Sequence, residues 1–93
     1  MEILQKDNGE NGVFYIEIEG ELAAEMTYVW RGNHDRILID HTEVKEILKG
    51  KGAGKQLVTK AVNFAREKKI KIVPICPFAK GVFEKVPEFQ DVL

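Results

Sequence analysis

Alternating apolar and polar side chains dominate the first half of this sequence. An opening strand at Ile3 and Leu4 ends in the turn-forming segment 7–12, which is rich in Asn, Asp and Gly. Residues 13–19 and 23–31 then follow a period of two, which is typical of strands that bury one face. The pattern therefore predicts three short strands joined by tight turns.

The next run, from Arg36 to about Val44, predicts the strongest strand. Side chains of a strand point alternately to its two faces. One face would carry Ile37, Ile39, His41 and Glu43, and the other Leu38, Asp40, Thr42 and Val44. We expect this strand to run directly into a glycine-rich turn at residues 49–55.

The pattern changes to helical spacing from Leu57, and cations cluster near residues 66–69, where a helix carboxyl end favours them. Ile70 to Ile75 is short and β-branched, which indicates a buried strand parallel to the one before the turn. Pro74 cannot donate to a ladder, so strand pairing should stop there and split the sheet locally. Pro77 suits the start of a short second helix, in which Phe78, Ala79, Val82, Phe83 and Val86 are expected to pack inward.

These elements predict an α+β fold with a mixed, mostly antiparallel sheet, one main helix and a short C-terminal helix. Ninety-three residues suit a single domain spanning 1–93.

A net charge of −1 argues against nucleic acid or an anionic membrane as a partner. We expect a cytoplasmic protein, because the sequence shows no targeting or membrane-spanning pattern and its one cysteine fits a reducing compartment. We expect no metal site, because no group of Cys and His has zinc-ligand spacing.

The segment Lys49 to Lys55 carries the strongest chemical signal. Glycines at every second position allow the backbone to approach an anion closely, and lysines supply positive charge. Neither the P-loop spacing nor the dinucleotide fingerprint is present. An ordinary solvated basic loop has the same composition, so the flanking elements must decide between the two interpretations.

Three motifs, taken together, resemble one family. Lys49 to Gly54 resembles the pyrophosphate-binding turn of the GNAT N-acetyltransferases, Arg/Gln-x-x-Gly-x-Gly/Ala, with lysine in the first position. The resemblance is closer to a group of very short GNAT-like proteins with Asp-His-Thr before the turn and Cys-Pro-Phe-Ala-Lys-Gly after the helix. Here these motifs are Asp40-His41-Thr42 and Cys76 to Gly81. The match covers about residues 13–86 and implies a reduced GNAT fold.

The resemblance implies acetyl-coenzyme A as the ligand. Backbone N–H groups and lysine side chains of the turn would hold the diphosphate, and backbone N–H groups of residues 42–44 would polarise the thioester carbonyl. The predicted cofactor-binding residues are Thr42, Glu43, Val44, Lys49, Gly50, Lys51, Gly52, Ala53, Gly54 and Lys55.

Cys76 and His41 are the predicted catalytic residues. Cys76 precedes Pro77 at a helix amino terminus, where the dipole favours thiolate. It would either accept the acetyl group or protonate the leaving thiolate, although a free cysteine often only packs in the core. His41 would act as a base towards the acceptor or the thiol, and its alternative role is structural, as a hydrogen-bonded residue of the sheet.

The expected reaction is acetyl transfer to an amine or thiol whose identity the sequence does not give. Residues 8–12 form only a turn where larger GNAT enzymes carry helices of the acceptor site, and no tyrosine follows the last core strand. A non-catalytic module that binds coenzyme A is therefore the alternative. A third possibility is a polyanion-binding domain that uses Lys49, Lys51, Lys55 and Lys60. The oligomeric state stays open.

Overall fold

The computed structural model describes all 93 residues and contains one five-stranded sheet in the order β1-β2-β3-β4-β5. The strands are β1 Leu4–Asp7, β2 Asn11–Ile18, β3 Glu21–Arg31, β4 Arg36–Val44 and β5 Lys71–Pro74. The helices are α1 Ala53–Lys68 and α2 Pro77–Lys85, and short 3-10 helices span Glu46–Leu48 and Pro87–Val92. Strands β1 to β4 are antiparallel and β5 is parallel to β4, so the predicted α+β fold is confirmed.

The core lies between one face of the sheet and helix α1. The helix buries a stripe at helical spacing, formed by Leu57, Val58, Ala61, Val62 and Ala65. The sheet contributes Phe14, Met26, Tyr28, Ile37 and Ile39, all of them almost fully buried. The period-two pattern of β2 and β3 thus marks the correct buried face, and Met26, Tyr28 and Trp30 pack on it.

Two boundaries differ from the sequence prediction. Strand β4 does not run directly into the glycine turn, because the 3-10 turn Glu46–Leu48 intervenes and buries Leu48 in the core. Helix α1 begins at Ala53, four residues before Leu57. Glycines lack helical propensity, but here Leu48 and the first apolar turn of α1 fix the chain by packing.

Strand β4 contains a bulge that the period-two pattern does not reveal. His41 pairs with Thr27 and Ile39 pairs with Tyr28, so Asp40 is an extra residue without a partner on β3. The Thr27 hydroxyl donates a hydrogen bond of 2.7 Å to Asp40 Oδ1 at this point. The bulge is therefore held by a side chain from the neighbouring strand.

The bulge reverses the faces of the second half of β4. Ile37 and Ile39 face the core, but after the extra residue it is Thr42 and Val44 that lie on the helix side of the sheet. The prediction that His41 and Glu43 share a face with Ile37 and Ile39 is wrong. One inserted residue shifts the strand by one position, and such a shift exchanges its two faces.

The pairing of β4 with β5 ends where Pro74 lies opposite Ile39. The amides of Ile75 and Cys76 then both donate to the Ile39 carbonyl, at 2.9 and 3.1 Å, before the chain turns into α2. Residues 40–44 of β4 thus have no strand partner on this side. The expected stop in pairing at Pro74 is confirmed.

The connection between β1 and β2 is a tight turn, with Gly9 at φ 91°. The side chains of Asp7 and Asn8 accept hydrogen bonds from amides within it. No helix precedes β2 in this chain, as the sequence predicts. Neither α1 nor α2 has the length and apolar content needed to cross a bilayer.

Candidate functional site

A cavity of about 410 Å³ lies between the end of β4, the glycine turn and the start of α2. The residues that line it are Thr42, Val44, Leu48, Lys49, Gly50, Gly52, Ala53, Gly54, Lys55 and Phe78. Eight of these ten belong to the predicted cofactor-binding set, from which Glu43 and Lys51 are missing. The structure thus brings the residues of β4 and of the turn together around one opening.

The glycine turn exposes backbone N–H groups to this cavity. Gly50 and Gly52 adopt left-handed conformations, with φ of 76° and 74°, which disfavour any other residue. Gln56 is the first residue of α1 whose amide donates to the backbone, to the carbonyl of Gly52. The amides of Ala53, Gly54 and Lys55 are therefore free, and no side chain caps the helix. Such an uncapped helix start favours anions.

The lysines of the turn do not all face the cavity. Lys49 and Lys55 line it, and Lys49 Nζ also lies 3.2 Å from Glu46 Oε1 in an exposed ion pair. Lys51 lies outside the lining, and its amide donates to the carbonyl of Leu48. The positive charge at the cavity therefore comes from two lysines together with the free amides.

Cys76 sits behind Thr42, at the point where the sheet splits. It is the N-cap residue of α2 and is only 7% exposed. Its sulfur lies 3.2 Å from the Thr42 hydroxyl and 3.4 Å from the amide nitrogen of Ala79, which donates to it. The bulge at Asp40 makes the first contact possible, since it turns Thr42 towards this side of the sheet.

His41 and Glu43 lie on the opposite, open face of the sheet. His41 Nε2 is 4.0 Å from Glu43 Oε1, and both side chains are more than half exposed. Because Thr42 contacts the cysteine, its neighbour His41 points away from it. The structure therefore does not form the pair of His41 with Cys76 that the sequence suggested.

The backbone N–H groups of β4 point alternately to β3 and to the gap on the other side of the strand. The Lys45 amide donates to Ala23 on β3 at 2.9 Å, and backbone groups of an antiparallel strand alternate in direction. Thr42 and Val44 thus direct their N–H groups away from β3, into the gap. Glu43 directs its N–H to β3 and its carboxylate to the open face, so its prediction as a cofactor-binding residue is not supported.

Two lining residues were missed by the sequence analysis. Leu48 forms the floor next to the turn, and Phe78 covers the start of α1. Phe78 was expected to pack inward, but it is 45% exposed. A Cβ atom on Gly54 would lie only 2.2 Å from its ring, so the ring rests directly on this glycine. The position of Phe78 in the Cys-Pro-Phe motif was the one sequence feature that could have indicated its place in the site.

A second cleft, of about 330 Å³, lies at the other end of the sheet, beside Trp30 and His34. It is slightly smaller, and six of its eight lining residues are not hydrophobic. No helix begins beside it. The cavity at the glycine turn is therefore the better candidate for chemistry.

The family model of the GCN5-related N-acetyltransferases matches residues 13–92. This chain belongs to that family. A GCN5-like protein from Staphylococcus aureus, solved by NMR, is 43% identical with a TM-score of 0.77, over 98% of this chain and 85% of the other. Among curated proteins the sequence has no match.

Two more distant acetyltransferase structures share the fold. A ribosomal-protein-alanine N-acetyltransferase from Brucella melitensis has 17% identity and a TM-score of 0.69, over 85% of this chain and 62% of its own. A predicted acetyltransferase from Clostridium acetobutylicum, crystallised with acetyl-CoA, has 16% identity and a TM-score of 0.65, over 81% and 55%. This chain therefore spans between one half and two thirds of the length of these enzymes.

Proposed function

We propose that this protein is a single acetyl-CoA-binding domain that transfers the acetyl group to an amine or thiol acceptor. The observation that carries the proposal is the cavity between the end of β4 and the start of α2, where the sheet has split. The uncapped start of α1 forms one end of this cavity. Membership of the GNAT family and the relative crystallised with acetyl-CoA support the choice of ligand.

The free amides of Ala53, Gly54 and Lys55 would hold the diphosphate, with charge from Lys49 and Lys55. The gap beside residues 40–44 would take the extended arm that carries the thioester. The N–H groups of Thr42 and Val44, which point into this gap, would stabilise negative charge on the thioester oxygen during acyl transfer.

Cys76 is our candidate for the nucleophile. Its thiolate would attack the thioester carbonyl carbon, and the bond from that carbon to the coenzyme A sulfur would break. Coenzyme A would leave as a thiolate and take up a proton, and the acetyl group would stay on Cys76 until the acceptor attacked it. In the other assignment Cys76 is the acid that protonates the leaving thiolate, and no acetyl-cysteine forms.

His41 has a separate role in this proposal. Because it lies on the open face beside Glu43, it would take a proton from an acceptor that approaches from that side. It would not activate Cys76.

One observation favours a different class of function. The tight turn between β1 and β2 leaves the acceptor side without the extra helices that the family resemblance leads one to expect. A module that binds coenzyme A without efficient transfer is therefore the second candidate. Time-dependent loss of the acetyl group from acetyl-CoA, in the presence of candidate amines, separates the enzyme from the binding module.

Titration calorimetry with coenzyme A and acetyl-CoA tests the proposal. We expect saturable binding that Gly52→Glu and Gly54→Glu abolish. Gly52→Glu places a side chain and a negative charge at the diphosphate, and Gly54→Glu adds the same charge where a Cβ atom also meets the ring of Phe78. Gly9→Glu is the matched control for Gly52→Glu, because both glycines have a positive φ and open space around a Cβ atom, and Gly9 lies at the other end of the sheet. Absence of saturable binding by the wild-type protein would refute the proposal.

Mass spectrometry after incubation with acetyl-CoA then tests the chemical role of Cys76. An acetyl group on this residue identifies the nucleophile, and Cys76→Ala should keep coenzyme A binding while losing transfer. Full transfer by Cys76→Ala would exclude both the nucleophilic and the acid role.

A further inference from the structure

The hydrogen bond between Thr42 and Cys76 links two parts of the site that the split in the sheet has separated. Thr42 lies on β4 beyond the last residue that pairs with β5, and Cys76 is the N-cap of α2. Their side chains meet at 3.2 Å. This contact depends on the bulge at Asp40, because regular alternation would have turned the hydroxyl to the open face.

The surroundings of the sulfur give this contact a chemical meaning. A buried thiolate requires hydrogen-bond donors in place of water. The Ala79 amide, at 3.4 Å, is one donor, and the Thr42 hydroxyl is the shorter contact. A hydroxyl both donates and accepts, so it can accept from the neutral thiol and donate to the thiolate. It therefore serves the sulfur in both protonation states.

From this geometry we infer that Thr42 is a positioning residue for Cys76. Its hydroxyl fixes the sulfur at the split of the sheet and supplies a hydrogen-bond donor to it when it reacts as a thiolate, while its backbone N–H keeps the separate role of facing the thioester. Only the role of this contact in acetyl transfer rests on the proposed function. The effect on the thiol itself is a property of the free protein.

Alkylation of the single cysteine by iodoacetamide at neutral pH measures this effect without any coenzyme A. Thr42→Val keeps the shape and the backbone amide and removes only the hydroxyl, so we expect alkylation about tenfold slower, the loss expected for one hydrogen bond to a charged group. Thr42→Ser should restore the rate to within about twofold of the wild type. Thr59→Val is the matched control, because its hydroxyl bonds to the Lys55 carbonyl, within helix α1.

Equal rates for Thr42→Val and the wild type would overturn the inference, and so would a Thr42→Ser protein as slow as Thr42→Val. If Thr42→Val fails to fold, Thr42→Ala compared with Thr42→Ser gives the same test.

Calorimetry with coenzyme A distinguishes failure of this inference from failure of the proposed function. Absence of binding by the wild-type protein contradicts the proposed function and leaves the alkylation result unaffected. In a transfer assay, Thr42→Val should lower kcat with little change in KM.

Discussion

At the scale of single residues, Asp7 joins the end of β1 to the aromatic core. Its carboxylate accepts hydrogen bonds from the Tyr28 hydroxyl at 2.5 Å, the Trp30 indole at 2.9 Å and the Gly9 amide at 2.7 Å. Partial burial acts to raise the pKa of Asp7, but these hydrogen bonds outweigh it and lower the pKa below its usual value of 3.8. Burial, followed by the bond to Asp7, strongly raises the pKa of Tyr28.

A depressed carboxyl pKa predicts how stability depends on pH. The unfolded chain binds the proton of Asp7 more readily than the folded one, so the contribution is present above about pH 4 and is lost as pH falls through the lower folded pKa. Asp7→Asn should lower the free energy of unfolding by about 1 kcal/mol at neutral pH, after allowance for solvent screening. That difference should shrink below about pH 3, measured by denaturant unfolding across a pH series.

Asp35→Asn is the control for this prediction, because Asp35 pairs with Arg36 on the surface, where both side chains are about half exposed. Its effect should stay below about 0.5 kcal/mol. If Asp7→Asn lost no more stability than Asp35→Asn, the Asp7 network would have no measurable role in folding.

At the scale of elements, the contact between α1 and α2 depends on Gly54 and Phe78. The ring of Phe78 occupies the space that a Cβ atom on Gly54 would need. Gly54 thus has a packing reason to be glycine, whereas Gly52 has a conformational one, its left-handed φ of 74°. Two neighbouring glycines in the same turn are required by different physical causes.

A double-mutant cycle tests the packing reason. With Phe78→Ala as background, Gly54→Ala should stabilise the protein by about 0.5–1 kcal/mol, because alanine costs less entropy than glycine in a helix. In the wild-type background the clash with the ring should cancel this gain. Denaturant unfolding of the four proteins measures the difference.

Gly81→Ala in α2 provides the matched control, because a Cβ atom there would meet nothing within 4 Å. It should stabilise equally in both backgrounds. An equal gain from Gly54→Ala with and without Phe78 would show that the ring moves aside at no cost.

At the scale of the whole molecule, the net charge of −1 provides no overall attraction for a polyanion, so the salt dependence of binding depends on the local contacts at the site. A polyanion-binding domain that makes six or more phosphate contacts would lose about a thousandfold in affinity between about 50 and 200 mM salt. Only two of the residues that line the cavity are lysines, Lys49 and Lys55, and the free amides there bind by hydrogen bonding as well as by charge. We expect coenzyme A affinity to fall by less than about tenfold over this range, measured by calorimetry. A steeper loss would favour the polyanion domain.

Much of the fold could be predicted because local patterns and tertiary packing agree. The alternation in β2 and β3 marks their buried faces, and the apolar stripe from Leu57 marks helix α1. The start of α1 at Ala53 could not be read in the same way. Three glycines among residues 49–55 remove the helical signal there, and packing around Leu48 decides where the helix begins.

The candidate site, like the fold, could be predicted only in part. The sequence by itself determined the glycine turn, Cys76 before a helix and the family, because spacing and residue type are local properties. Only the tertiary structure decided which residues of β4 meet them. An unpaired residue at Asp40 is a property of two strands in register, so no pattern within one strand reveals it. That single residue brings Thr42 to Cys76 and turns His41 and Glu43 to the open face.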